Sequence, residues 1–191
     1  MNETGATKIT FNGTEASVNG AGAQADGGYV IINRGGVYEL SGTLSNGRVV
    51  VNAKGEDIVL VLNGVNITCA NSSPLYVYKA STVTLIANGK TENVFTDGND
   101  YDFSLDFCDS VESEPNAAIF SKADLIIRGT GTITAKGNYS SGIICKDNLK
   151  IVNTTVNVDA KNNGINGKDS LTIQNSTVNV TAANDGLRST K

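Results

Sequence analysis

Leu125, Leu149 and Leu171 fall 24 and 22 residues apart, and each is followed two positions later by an isoleucine: Ile127, Ile151 and Ile173. Six positions before each leucine stand Ile119, Ile143 and Ile165, a column that Leu187 continues 22 residues on. The residue before each of these is small: Ala118, Gly142, Gly164 and Gly186. A further pair, Val156 and Val158, is matched by Val178 and Val180. Apolar and polar residues alternate within every segment, which is the period of a strand with one buried face. Short strands recurring at this interval, with apolar positions in register, describe coils stacked on one another. Helices do not suit the chain, because Val, Ile, Thr, Asn and Gly are poor helix formers.

Towards the N-terminus the pattern continues less cleanly. Ile58, Leu60 and Leu62 alternate, as do Val83 and Leu85, 25 residues after Ile58 and Leu60. Val49, Val51 and Ala53 precede them, and Tyr29, Ile31 and Val37 with Tyr38 suggest an opening sheet or first coil. The expected fold is all-β, a right-handed parallel β-helix with roughly 22–25 residues per rung; the hand follows from the crossover rule for parallel strands. Residues 1–53 are expected to form N-terminal strands and a first rung, and residues 54–191 the stacked rungs. Asparagine occurs 23 times. Stacked amides satisfy one another along a ladder, and Asn153 with Asn175 and Asn157 with Asn179 are the candidates.

One stretch breaks the repeat. Val83 and Leu125 lie 42 residues apart, which places an insertion at about 92–116. It holds eight acids, Glu92, Asp97, Asp100, Asp102, Asp106, Asp109, Glu112 and Glu114, with no Lys or Arg from 92 to 114. Like charges at this density repel unless solvated or neutralised. Interleaved Val94, Phe95, Tyr101, Phe103, Leu105, Phe107 and Val111 argue that it packs on the coil. Two readings stay open: a lid with carboxylates outward, or a loop ordered by calcium. The DGNDYD run at 97–102 lacks EF-hand spacing.

Composition removes several chemistries. With no histidine, imidazole acid–base catalysis, Ser-His-Asp sites and imidazole metal sites are excluded. The three cysteines, Cys69, Cys108 and Cys145, include no C-x-x-C pair, so they read as free thiols. A net charge of −4 speaks against nucleic acid as partner. No apolar run reaches the ~20 residues of a membrane span, and the start of the chain has no leader pattern. The chain ends before the next leucine strand, so neighbouring rungs or domains are expected beyond it.

RGGVYELSGTLSNGRVVVNA (34–53), VLVLNGVNITCANSSPLYV (59–77), GKTENVFTDG (89–98), EPNAAIFSKADLII (114–127), GNYSSGIICKDNLKI (137–151) and NDGLRSTK (184–191) together resemble one bacterial family. It is the extracellular carbohydrate-binding domain family of right-handed parallel β-helices, known from cellulose- and pectin-degrading clostridia and their relatives. The resemblance implies a pectate-lyase-like coil, bound calcium, an extracellular or cell-surface location, and binding to plant polysaccharides including polygalacturonate and cellulose.

Calcium takes six to eight oxygens from carboxylates, amides and carbonyls, and stacked turns can present them. Before the Gly-Ile step lie Asn116, Asn163, Asn184 and Asp185; before the leucine strand lie Asp147 and Asp169, with Asp124 displaced by one position. Asp97 and Glu114 join these candidates from the insertion. The same Asn/Asp-Gly steps also read as plain turns. Lys122, Lys146 and Lys168 form a basic column at intervals of 24 and 22. It reads either as a salt-bridged corner or as a row of point charges facing sugar carboxylates, with Tyr139 as stacking surface.

The expected function is therefore calcium-stabilised, non-catalytic binding of acidic plant polysaccharide and of cellulose. A calcium-dependent polysaccharide lyase and a structural or adhesive solenoid are the alternatives. No catalytic residues emerge from spacing, because Arg128 and Arg188 lie in different columns.

Overall fold

A computed structural model describes residues 5–190 of the protein. The readings at residues 1–4 and 191 fall outside them. Every regular element among the described residues is a β-strand, so no helix is present to cross a membrane. The first six strands are β1 (Thr7–Gly13), β2 (Glu15–Asn19), β3 (Ala23–Asp26), β4 (Tyr29–Ile32), β5 (Gly36–Leu44) and β6 (Arg48–Asn52). β7 (Asp57–Cys69), β8 (Leu75–Lys79), β9 (Thr82–Ala87) and β10 (Glu92–Asp97) follow. After a long loop come β11 (Ala117–Ser121), β12 (Asp124–Gly129), β13 (Thr132–Gly137), β14 (Ser141–Cys145) and β15 (Asn148–Val152). The chain closes with β16 (Thr155–Ala160), β17 (Ile165–Gly167), β18 (Ser170–Gln174), β19 (Thr177–Ala182) and β20 (Leu187–Ser189).

These strands correct the expectation of a right-handed parallel β-helix. A regular solenoid keeps its strand columns as separate sheets along the whole coil. Here β18-β15-β12-β9 and β10-β13-β16-β19 are two wings of one twelve-stranded sheet that meet at β7, and β1, β2 and β5 extend it. Asp57–Leu62 of β7 pairs with β9, and Asn66–Cys69 pairs with β10. The sheet is a half-barrel, faced by an eight-stranded sheet in the order β20-β17-β14-β11-β8-β6-β4-β3. The second sheet is mixed, because β3 and β4 pair antiparallel, as β1 and β2 do in the first.

The physical cause lies within β7. Its buried positions alternate through Ile58, Leu60 and Leu62, then slip by one residue to Val65, Ile67 and Cys69. The slip falls on Gly64, whose φ of 75° suits glycine, and β5 shifts register beside it between Leu40 and Gly42. A bulge bends and twists a strand, so one strand turns the corner that a solenoid would make with a loop. Buried Asn93 satisfies the bulge: its Oδ1 accepts from Gly64 N–H at 3.0 Å and Val65 N–H at 3.1 Å.

The repeat columns are register partners. Leu125 pairs with Leu149 and Leu149 with Leu171; Ile119, Ile143, Ile165 and Leu187 pair in succession. Apart from Leu187, which is half exposed at the end of its column, their side chains fill the space between the sheets, with Leu125, Ile127, Ile143, Leu149, Ile151 and Val156 fully buried. A Cβ on Gly142 would run into Val158 Cγ1, which explains the small residue before each isoleucine. Of the asparagine pairs, Asn179 Nδ2 donates to Asn157 Oδ1 at 2.9 Å. Asn153 and Asn175 instead take left-handed backbone, at φ 52° and 48°.

The insertion also has different bounds. Glu92–Asp97 is β10, a strand of the main sheet, so the excursion runs over residues 98–116. It packs on the outer face of the eight-stranded sheet through Phe107, whose ring lies 5.2 Å from that of Tyr78. Tyr76 Oη donates to the Phe107 carbonyl at 3.1 Å. Asp100, Asp102, Asp106 and Glu112 face solvent, and Val111 is 88% exposed.

Candidate functional site

Alternation along β6, β8, β11, β14, β17 and β20 sends one residue of each strand to the outside. Register stacks these as Val50, Tyr76, Phe120, Ile144, Asn166 and Arg188. The insertion covers the first part of this row, forming a small apolar cluster with Val50, Tyr76 and Phe120. Beyond Phe120 the face opens as a groove of about 300 Å³. Asn116, Ile144, Lys146, Asn166, Lys168 and Arg188 line it.

Glu114, itself buried, sits where the insertion rejoins the sheet and divides the lysine column. Its Oε2 lies 3.0 Å from Lys122 Nζ, and its Oε1 accepts a hydrogen bond from Lys146 Nζ. Burial pushes the Glu114 carboxyl up, but hydrogen bonds and charge from Lys146 and Lys122 outweigh it and hold the group below the usual carboxylate range. Lys168 is exposed. Arg188 meets Asp185 at 3.6 Å, in an exposed pair that is worth little.

Two acceptors in the groove lack donors. Asn116 Oδ1 and Asn166 Oδ1 are buried and have no hydrogen-bond partner among the described residues. An unsatisfied buried acceptor is costly and calls for a donor. Cations beside empty acceptors suit a ligand that carries both carboxylates and hydroxyls.

The remaining expected residues lie elsewhere. Asp97 is buried and accepts from Tyr101 Oη at 2.8 Å, from Tyr139 N–H at 3.2 Å and from Asn138 N–H. Burial raises its carboxyl to about 6, against the pull of those hydrogen bonds. Tyr139 stacks on Tyr101 with ring centroids 4.3 Å apart, so it braces the insertion rather than joining the lysines. Asn163 Oδ1 accepts from Asn184 Nδ2 at 3.1 Å and from Asp185 N–H at 3.2 Å. Asp147 stands beside Asp124 and Asp169; burial first, and then those two charges, raise its pKa.

Among the described residues no three acidic or cysteine side chains are placed to hold a metal ion. The expected ligands are spread over four places: Asp97 under the insertion, Glu114 and Asn116 in the groove, the Asp147–Asp169 row, and the Asn163–Asp185 turn.

The structure thus gathers Lys146, Lys168, Glu114 and Asn116 in one groove. Sequence reasoning missed Asn166 and Arg188, although Asn166 directly follows buried Ile165 of the Gly-Ile column and so must face outward, and Arg188 is its register partner on the next strand.

The chain matches the model of the carbohydrate-binding domain-containing protein family over residues 26–191. A carbohydrate-binding domain-containing protein of Acetivibrio thermocellus is 37% identical over 156 residues, covering 80% of this chain and 53% of that protein. The chain therefore spans about half the length of this curated relative. The structure of a polysaccharide lyase-like protein from C. thermocellum, determined as a gadolinium derivative, superposes with a TM-score of 0.83 at 31% identity. That match covers 97% of this chain and 79% of the other. By the extent of the family match, the protein belongs to the carbohydrate-binding domain-containing protein family.

Proposed function

We propose that the protein is a non-catalytic binding module for acidic plant polysaccharide, with polygalacturonate as its principal ligand. The observation that carries this reading is the groove itself: Lys146, Lys168 and Arg188 beside the unpartnered Asn116 and Asn166 oxygens. A polyuronate offers a carboxylate for the cations and hydroxyl donors for the amides along one extended chain. Neutral cellulose fills only the second need, which ranks it lower. A polymer of this size is met outside the cell, so the proposal includes an extracellular or cell-surface location.

Binding to polygalacturonate and to soluble cello-oligosaccharide, compared at low and high salt, tests the reading. Stronger, salt-sensitive binding to polygalacturonate is expected. Equal binding to both, indifferent to salt, overturns it.

The polysaccharide lyase-like neighbour supports a second reading, cleavage of the same polymer by proton abstraction. That needs a basic group free to take a proton, whereas Lys146 is committed to Glu114. Release of unsaturated uronides from polygalacturonate would establish the lyase reading.

Calcium is a separate proposal. A divalent ion beside Asp147, completed by amide, carbonyl and water oxygens, would offset the burial and then the repulsion from Asp124 and Asp169 that raise the Asp147 pKa.

A further inference from the structure

At the opposite side of the insertion, the outer face of the eight-stranded sheet holds a buried charge without a counter-charge. Arg48, the first residue of β6, is 5% exposed. Its Nη1 donates to Ser72 Oγ at 3.2 Å and Cys108 Sγ at 3.4 Å, and its Nη2 donates to the Asp106 carbonyl at 2.8 Å. All three acceptors are neutral, and Asp106 contributes its backbone, not its carboxylate. Arg48 forms no ion pair among the described residues. A guanidinium has five N–H donors and does not shed its charge by deprotonation. Nε and one N–H of Nη2 make no well-formed hydrogen bond among the described residues.

Tyr29, the register partner of Arg48 on β4, adds a second unmet group. The guanidinium carbon lies 4.9 Å from the centre of the Tyr29 ring, a stacking distance that orients the fork. The Tyr29 hydroxyl is buried and makes no well-formed hydrogen bond among the described residues, with only a loose approach to the Arg48 guanidinium. Burial raises its pKa, and Arg48 beside it opposes that rise. The hydroxyl is therefore a neutral donor.

Both groups line an open pocket of about 370 Å³, shared with Asp26, Asp106, Asn46, Asn71 and Leu105. This volume lies in the ~300–1,000 Å³ range of small-ligand sites. A buried cation is costly unless paired, and the planar partner that matches a guanidinium fork is a carboxylate. Asp26 and Asp106 are both exposed, so their carboxylates are solvated at the mouth, where they accept from hydroxyls and repel a second anion. One carboxylate inside and hydroxyls outside describe a single uronic acid residue.

We propose that the Arg48–Tyr29 pocket is a second saccharide subsite, which takes the carboxylate of one uronate residue on Arg48 and the Tyr29 hydroxyl. The groove at Lys146 and Lys168 lies along the same sheet face, beyond the insertion, so the two sites flank it. This inference rests on the proposed polyuronate binding and adds a place and a stoichiometry to it.

The test is titration of the isotope-labelled protein with trigalacturonate, following backbone amides by NMR. Arg48 ties down the insertion, so replacing it risks unfolding; Tyr29→Phe removes only a hydroxyl that makes no well-formed hydrogen bond among the described residues. Trigalacturonate is expected to shift the amides of Tyr29, Gly47 and Arg48 as well as those of Ile144 and Asn166. In Tyr29→Phe the pocket titration should weaken about fivefold, as for one lost hydrogen bond, with groove titration and melting temperature unchanged. Groove shifts without pocket shifts overturn this proposal and leave the proposed function standing. Absence of shifts at both places overturns both. Acetate shifting the pocket amides at the same concentration as trigalacturonate overturns the saccharide assignment.

Discussion

Glu114 places its two carboxylate oxygens on two lysines that follow the paired strands β11 and β14, Lys122 at 3.0 Å and Lys146 by a hydrogen bond. One acidic residue of the insertion therefore removes part of the charge that the lysine column would offer a ligand. Glu114→Gln should free that charge and raise polygalacturonate affinity by twofold or more. It should also lower stability at pH 7 by about 1–2 kcal/mol, discounted because the lysines are partly exposed. The Glu114 pKa is depressed, so its contribution is present above the unfolded value near 4.5 and is lost as pH falls through the folded value. Denaturant unfolding of both proteins between pH 3 and pH 7 checks this, and an unaltered acid limb in the variant would contradict it.

Asp97 has the opposite sign. Its folded carboxyl is raised to about 6, so the folded state holds a proton that the unfolded state has already lost. Stability from this group is greatest below the unfolded value near 4 and declines as pH rises to about 6. The size is roughly 2–3 kcal/mol for a shift of this order. Asp97→Asn should abolish the decline and be more stable than the parent at pH 7. A variant that keeps the parent's pH profile would move the effect to another group.

Lys146→Ala with Lys168→Ala should weaken polygalacturonate binding more than either change alone, because lysines beside neighbouring strands meet one chain as a multivalent contact. Each exposed charge contributes about 0.2–1 kcal/mol, so the pair should cost about 2- to 30-fold. Salt sensitivity should fall with it, since exposed pairs are screened beyond about 8–10 Å. Affinity chromatography on immobilised polygalacturonate reads both, and full retention of the double variant at low salt would remove the lysines from the site.

Ile151 pairs with Ile127 and Ile173 and is fully buried, while its neighbour Lys150 faces solvent. Ile151→Asp buries an unpaired carboxylate and should cost at least about 3 kcal/mol. Lys150→Asp should stay within about 1 kcal/mol of the parent. Equal melting temperatures for the two variants would mean that inside and outside are reversed.

Calcium should raise the melting temperature by mass action on the folded state. Asp147→Asn should blunt the response by relieving the row at Asp124 and Asp169, whereas Asp26→Asn should leave it intact. Identical melting with excess calcium and with chelator would end the calcium proposal.

The local code of this protein is short-range and was legible. Period-2 alternation chose strands over helices, and the recurrence of Leu125, Leu149 and Leu171 at 24 and 22 residues brought them into register, because a one-residue slip would turn every buried side chain outward. Tertiary structure alone decided how the columns join. The phase slip at Gly64 looks like a turn in the sequence, yet in three dimensions it bends β7 so that two columns become one half-barrel sheet. The partners of charge were equally hidden. Glu114 reaches a lysine 32 positions away, and Arg48 takes the Asp106 carbonyl 58 positions away. Hydrophobic periodicity is written into neighbouring residues, while a charge meets whatever the packing of distant segments puts beside it.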